Sequence, residues 1–147
     1  MRNASKYLIQ ILRILLGVFF VSAGIKHFTS PEFFLAIMPP YIPFHEFCVF
    51  ASGIVEILGG LGILAFSHAQ TLKIRYGSGL LLIATLLAVY PANIHMALNP
   101  GDYSQFPAWM IYARLPFQFV FIGLVWLVSI RTKKKKDRKE IRSKPKL

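Results

Sequence analysis

The sequence has a single cysteine, Cys48, which excludes an intrachain disulfide and dithiol exchange within the chain. Set between Phe47 and Val49, it reads as a small apolar helix residue. No His-x-x-x-His or carboxylate–histidine spacing marks a metal site, and no repeat of solenoid period is present. Acidic side chains are scarce: 6 Asp and Glu stand against 17 Lys and Arg, for a formal net charge of +11. Such an excess can indicate a nucleic-acid partner. Here most of it lies between Arg131 and Lys146, outside every hydrophobic stretch, so topology accounts for it better than nucleic-acid recognition.

What is abundant is apolar. With 55% hydrophobic residues in 147, the chain carries more apolar surface than a soluble domain of that size can hide, which makes the lipid bilayer its solvent. A membrane-crossing helix needs about 20 mostly apolar residues. Runs at about 7–25, 47–66, 76–98 and 109–130 meet that length. Between them lie breaks rich in proline, glycine and polar residues: Pro31, Pro39, Pro40 and Pro43; then Ser67 to Gln70; then Asn99 to Asp102 with Pro107. The expected fold is an all-α membrane protein, a four-transmembrane-helix bundle over residues 1–130. A basic, disordered cytoplasmic tail over 131–147 is expected to follow it.

Orientation follows from the positive charges. Arg2 and Lys6 precede the first run, Lys73 and Arg75 fall in the short second connection, and Lys133 to Lys136 follow the last run. The connection around Asp102 has no Lys or Arg, so both termini are expected in the cytoplasm, with Lys26 a minor exception on the outer side. The lysine tail would then meet anionic lipid at the inner surface. Arg13 would snorkel toward headgroups near the inner edge. A competing view of the first run is a cleaved signal peptide ending near Val21-Ser22-Ala23.

Ionisable residues within hydrocarbon cost about 2.5–3.5 kcal/mol each on insertion scales and therefore generally face protein or a water cavity. Lys26, His27, Glu56, Asn93, His95, Arg114 and Gln118 all fall toward the same outer half of the four runs, Glu56 nearest the midplane. They form the candidate binding pocket. Arg114 and Gln118 share a helix face, as do Ser52, Glu56 and Gly60, whose small members let a neighbouring backbone approach. Asn93 and His95 lie about 200° apart on a regular helix, so both reach the centre only if Pro91 distorts it. Glu56 and Arg114 admit two readings. One is a structural ion pair; the other is a ligand pocket in which Arg114 stabilises an oxygen, Glu56 or a histidine exchanges a proton, and Asn93 and Gln118 orient polar groups. Haem or metal ligation by His27 and His95 is the weaker alternative.

Two stretches carry a resemblance: Gly17-x-x-Phe20-x-x-Ala23-Gly24-x-Lys26-His27-Phe28 and Gly53-x-x-Glu56-x-x-Gly59-Gly60. With Pro91-Ala92-Asn93-Ile94-His95-Met96-Ala97 and Arg114-Leu115-Pro116-Phe117-Gln118, they resemble the DoxX family of small bacterial membrane proteins over nearly the whole hydrophobic region. The resemblance implies a four-helix bundle in the cytoplasmic (inner) membrane, associated with respiratory or redox systems. In the namesake relatives the association is with quinone-linked thiosulfate oxidation. The functional expectation is a redox-associated membrane protein that binds a quinone-like lipophile in an outer-half pocket. The alternatives are a non-catalytic subunit or assembly factor, partnered with a membrane oxidoreductase or with copies of itself, and a small-solute transporter, for which four helices leave little room.

Overall fold

In a computed structural model, residues 2–65 and 69–131 are described. The tail expected over 131–147 lies outside them except for Arg131. The described residues form helices and short connections, with no strand among them. Helix α1 spans Arg2–Thr29, a short α2 spans Pro31–Leu35, and α3, α4 and α5 span His45–Leu64, Ala69–Leu98 and Ala108–Val125. A 3-10 turn at Pro100–Tyr103 precedes α5, and a π-helical stretch, Trp126–Arg131, continues it.

Four segments are long and apolar enough to cross a membrane: Ser5–Thr29, His45–Leu64, Leu72–Leu98 and Ala108–Arg131. Large apolar side chains such as Leu8, Ile11, Leu15, Ile54, Leu58, Leu61, Phe119 and Val120 point outward from them. A soluble monomer does not tolerate that much exposed hydrocarbon; a bilayer requires it. The chain is a multi-pass membrane protein. Both described ends of the chain and the α3–α4 connection lie at one end of the bundle, the termini end; the other two connections form the loop end.

The helices differ from the expected runs in three ways. Helix α1 continues to Thr29, so Lys26 and His27 sit within its last turns. Lys73 and Arg75 lie in the first turns of α4 and not in a loop. The proline-rich first connection contains α2, started by Pro31 at a position where the missing N–H costs nothing. After it, Phe44 takes a left-handed conformation (φ 55°) that turns the chain into α3.

Helices α1 and α3 run antiparallel with backbones in contact. Gly17 and Gly24 are seven residues apart on α1, and Gly53 and Gly60 are seven apart on α3. A Cβ at Gly24 would lie 2.6 Å from the Gly53 carbonyl oxygen, and one at Gly60 would lie 2.8 Å from that of Gly17. Only glycine permits that approach. Beside this seam, Leu16, Phe20, Ile63, Leu82, Val125 and Val128 form an apolar belt shared by α1, α3, α4 and the end of α5. A second cluster, Met96, Tyr103 and Ile111, closes the loop end. Beyond the belt, helices α1 and α5 touch lightly, where Phe121 stacks on Phe19 at 4.7 Å and meets Phe20 edge-on at 6.2 Å.

Candidate functional site

Between the apolar belt and the loop end, the four long helices, α2 and the loop after it line a half-open cavity of about 580 Å³. Phe19, Phe20, Phe34, Met38, Phe117 and Phe121 are among the residues that make its wall largely apolar. Phe19, Phe47 and Phe117 are also exposed on the outside of the bundle, so the cavity borders the face that lipid covers.

One polar group sits on the α1–α3 wall. The glycine seam holds His27 hard against α3: a Cβ at Gly53 would lie 2.6 Å from the His27 Cβ. The Nδ1 of His27 lies 2.8 Å from the Val49 carbonyl oxygen and 3.2 Å from the Ser52 hydroxyl, which itself donates to Val49 O at 2.9 Å. A carbonyl can only accept, so Nδ1 carries a proton. That fixes Nε2 as the nitrogen facing Glu56, whose Oε2 is 3.6 Å away, and Phe34 stacks on the ring at 3.6 Å between centroids. The distance suits an ion pair but exceeds a hydrogen bond, and Glu56 Oε2 is buried without a hydrogen-bond partner. A bare carboxylate facing a bare Nε2 lone pair would repel it. A proton on either the imidazole or the carboxyl turns that repulsion into attraction, so the pair is a place where one proton can be held.

The second polar group sits on the α4–α5 wall. Asn93 Nδ2 donates to Gln118 Oε1 at 3.2 Å, and Gln118 Nε2 donates to the Leu86 carbonyl. This carbonyl is next to that of Leu87, which loses its helical donor because Pro91 has no N–H. Arg114, one turn from Gln118, lines the cavity and places its guanidinium 5.7 Å from the centre of the Phe33 ring. Among the described residues Arg114 has no carboxylate within 4.0 Å. The Glu56–Arg114 ion pair, one of the two readings of these residues, is not formed; Glu56 faces His27 instead.

Of the seven candidates, His27, Glu56, Asn93, Arg114 and Gln118 line the cavity, and Lys26 and His95 do not. Lys26 is exposed on α1. Helix α4 stays helical through Pro91, so the 200° offset holds and His95 turns to the loop-end cluster, where Tyr41 and Tyr103 pack edge-on to it and Asn99 Nδ2 approaches its Nδ1 at 3.4 Å. Separation also removes the basis for joint ligation by His27 and His95, and no group of three metal-ligating side chains exists among the described residues. Sequence reasoning missed α2. Phe34 on His27 and Phe33 beneath Arg114 let this five-residue helix bridge the two polar groups. The pair of phenylalanines directly after Pro31-Glu32 was the available signal.

The architecture is thus that of a membrane helical bundle with a half-open, mostly apolar cavity and two polar groups on facing pairs of helices. The chain belongs to the family described as a domain of unknown function, DUF8561, whose model matches residues 16–129. That match takes in every residue lining the cavity. No curated protein and no solved structure matches the chain significantly.

Proposed function

We propose that this is a DoxX-like protein of the cytoplasmic membrane, with both termini in the cytoplasm, that serves a redox-associated process by binding a flat, quinone-like lipophile in the cavity. The single observation carrying this reading is the cavity itself: apolar aromatic walls bordering the lipid face, with hydrogen-bonding groups on both the α1–α3 and α4–α5 sides. A quinone has an apolar ring and two carbonyl oxygens on opposite edges. Arg114 suits one such oxygen as a fixed donor, and the proton held by His27 and Glu56 suits the other. The orientation rests on the Lys and Arg distribution, and the kinship rests on the glycine and polar motifs of the four spans.

Binding of a short-chain quinone analogue to the purified protein tests this reading. Loss of one charge-assisted hydrogen bond is worth about 1.5–3 kcal/mol, so Arg114→Leu and His27→Ala should each weaken binding about ten- to a hundred-fold. Unchanged affinity in both variants removes the proposal.

A second reading, a non-catalytic subunit or assembly factor, draws on the Asn93–Gln118–Leu86 and His27–Val49 contacts, which satisfy these groups within the chain. Under that reading the protein co-purifies with a stoichiometric membrane oxidoreductase subunit or with copies of itself. The same substitutions would then lower stability and leave no ligand affinity to lose.

A further inference from the structure

The termini end carries a second polar region, separated from the cavity by the apolar belt. Arg13 of α1 is only 8% exposed and Arg75 of α4 only 2%. Burying a guanidinium is costly unless an acid or an anion shares the site. The described carboxylates are elsewhere: Glu32, Glu46 and Asp102 belong to the loop end, and Glu56 faces His27. Arg75 Nη2 donates to the Ala65 carbonyl at 2.7 Å, which anchors it at the C-terminal end of α3. That cap accounts for one hydrogen bond of Arg75. It does not account for Arg13, which lies one turn from Gly17, where a Cβ would be 2.5 Å from the Leu64 side chain, so that both arginines belong to the C-terminal end of α3.

Four buried side-chain polar atoms lack hydrogen-bond partners among the described residues, and three of them are in this region: Arg13 Nε, Arg75 Nε and Ser129 Oγ. Ser129 is placed beside α4 by the π-helical stretch; a Cβ at Gly79, one turn beyond Arg75, would lie 2.5 Å from the Ser129 Cβ. All three groups can donate. Two like charges and unused donors together define a binding site for an acceptor-rich anion.

We propose that the termini end of the bundle binds a phosphate-bearing anion between Arg13 and Arg75, with Ser129 as an additional donor. Planar guanidinium forks match the paired oxygens of a phosphate. Arg75 lies three residues, about 4.5 Å, inside the start of the apolar span at Leu72, so that its side chain is long enough to meet a headgroup phosphate at the interface. The site neither uses nor requires the cavity ligand.

The test uses the full chain in mild detergent, with native mass spectrometry to count bound lipid and thermal unfolding to read stability. Phosphatidylglycerol, phosphatidylcholine and inorganic phosphate are the probes. Wild-type protein should retain one phosphatidylglycerol and unfold at a higher temperature with it than with phosphatidylcholine. Arg13→Gln should weaken that retention at least tenfold, and this variant keeps the α3 cap that Arg75 supplies. Arg13→Lys should fall between the two. If inorganic phosphate alone reproduces the full stabilisation and Arg13→Gln abolishes it, the proposal stands with free phosphate as the anion. It is overturned if neither probe stabilises the wild type, or if Arg13→Gln binds as the wild type does. It is also overturned if Asp137→Asn with Glu140→Gln destabilises the chain as Arg13→Gln does while added anions have no effect, since the chain's own carboxylates would then neutralise the arginines.

Discussion

The two sides of the cavity are built on different principles. On the α1–α3 side, backbone meets backbone through Gly17, Gly24, Gly53 and Gly60, and His27 and Glu56 are positioned by helices that cannot separate without losing that contact. On the α4–α5 side, position is set by side chains: Asn93 and Gln118 bond to each other, Gln118 reaches Leu86, and Arg114 rests near Phe33. Between α1 and α5, at the level of the cavity, Phe121 stacks on Phe19 and meets Phe20 edge-on. A glycine seam is stiff because its tolerance is measured in tenths of an ångström, whereas a hydrogen-bonded side chain can change rotamer. His27 and Glu56 thus belong to the rigid wall, and the donors Arg114 and Asn93 to the adaptable one.

The largest effect should come from the seam. Gly24→Ala and Gly60→Ala each drive a methyl into backbone atoms 2.6–2.9 Å away, so each should cost about 3 kcal/mol, measured by unfolding in detergent or lipid. A seam that tolerates both substitutions would erase the proposed difference between the walls. Next, Gln118→Leu removes the Asn93 and Leu86 contacts and should cost about 1 kcal/mol, in keeping with the modest worth of hydrogen bonds between membrane helices. Phe19→Ala deletes the stack that spans the α1–α5 gap; a loss of about 0.5–1.5 kcal/mol beyond the area term is expected, together with faster exchange of any cavity ligand. The smallest effect concerns the loop end, outside the spans. Burial, then the Asp102 carboxylate and Tyr41, raise the pKa of the Tyr103 hydroxyl above its ordinary value. A raised folded value means the stabilisation is complete at neutral pH and is lost as the pH climbs through the tyrosine range, above about 10. Ultraviolet titration should show one late tyrosine that disappears in Tyr103→Phe.

Much of the bundle was legible in the sequence because membrane spans are written in composition: the four runs near 7–25, 47–66, 76–98 and 109–130 correspond to α1, α3, α4 and the segment from Ala108 to Arg131. Their ends were less legible. Charged residues within a helix look like loop residues in sequence, and Lys73 and Arg75 belong to α4 although their charge suggested a connection. The same confusion concealed the buried Arg13–Arg75 region, since a snorkelling arginine and a buried one have identical sequence context. In the candidate site, helix periodicity correctly made Asn93 and His95 diverge, and shared depth drew in Lys26 and His95, which point elsewhere. Depth is a one-dimensional property, and the cavity depends on rotation about each helix axis. The partner of Glu56 illustrates the same limit: His27 and Arg114 were both at a suitable depth, and the Gly24–Gly53 contact brings His27 close.

The most direct test of the central claim is to purify the full chain gently from membranes, record its absorption spectrum and analyse the organic extract by mass. A lipophile of quinone type, present in about one copy per chain and lost from the Arg114→Leu variant, is the predicted result. An extract containing only bulk lipid, from protein that is folded and has gained a stoichiometric protein partner, would contradict it and leave the cavity as part of an assembly subunit.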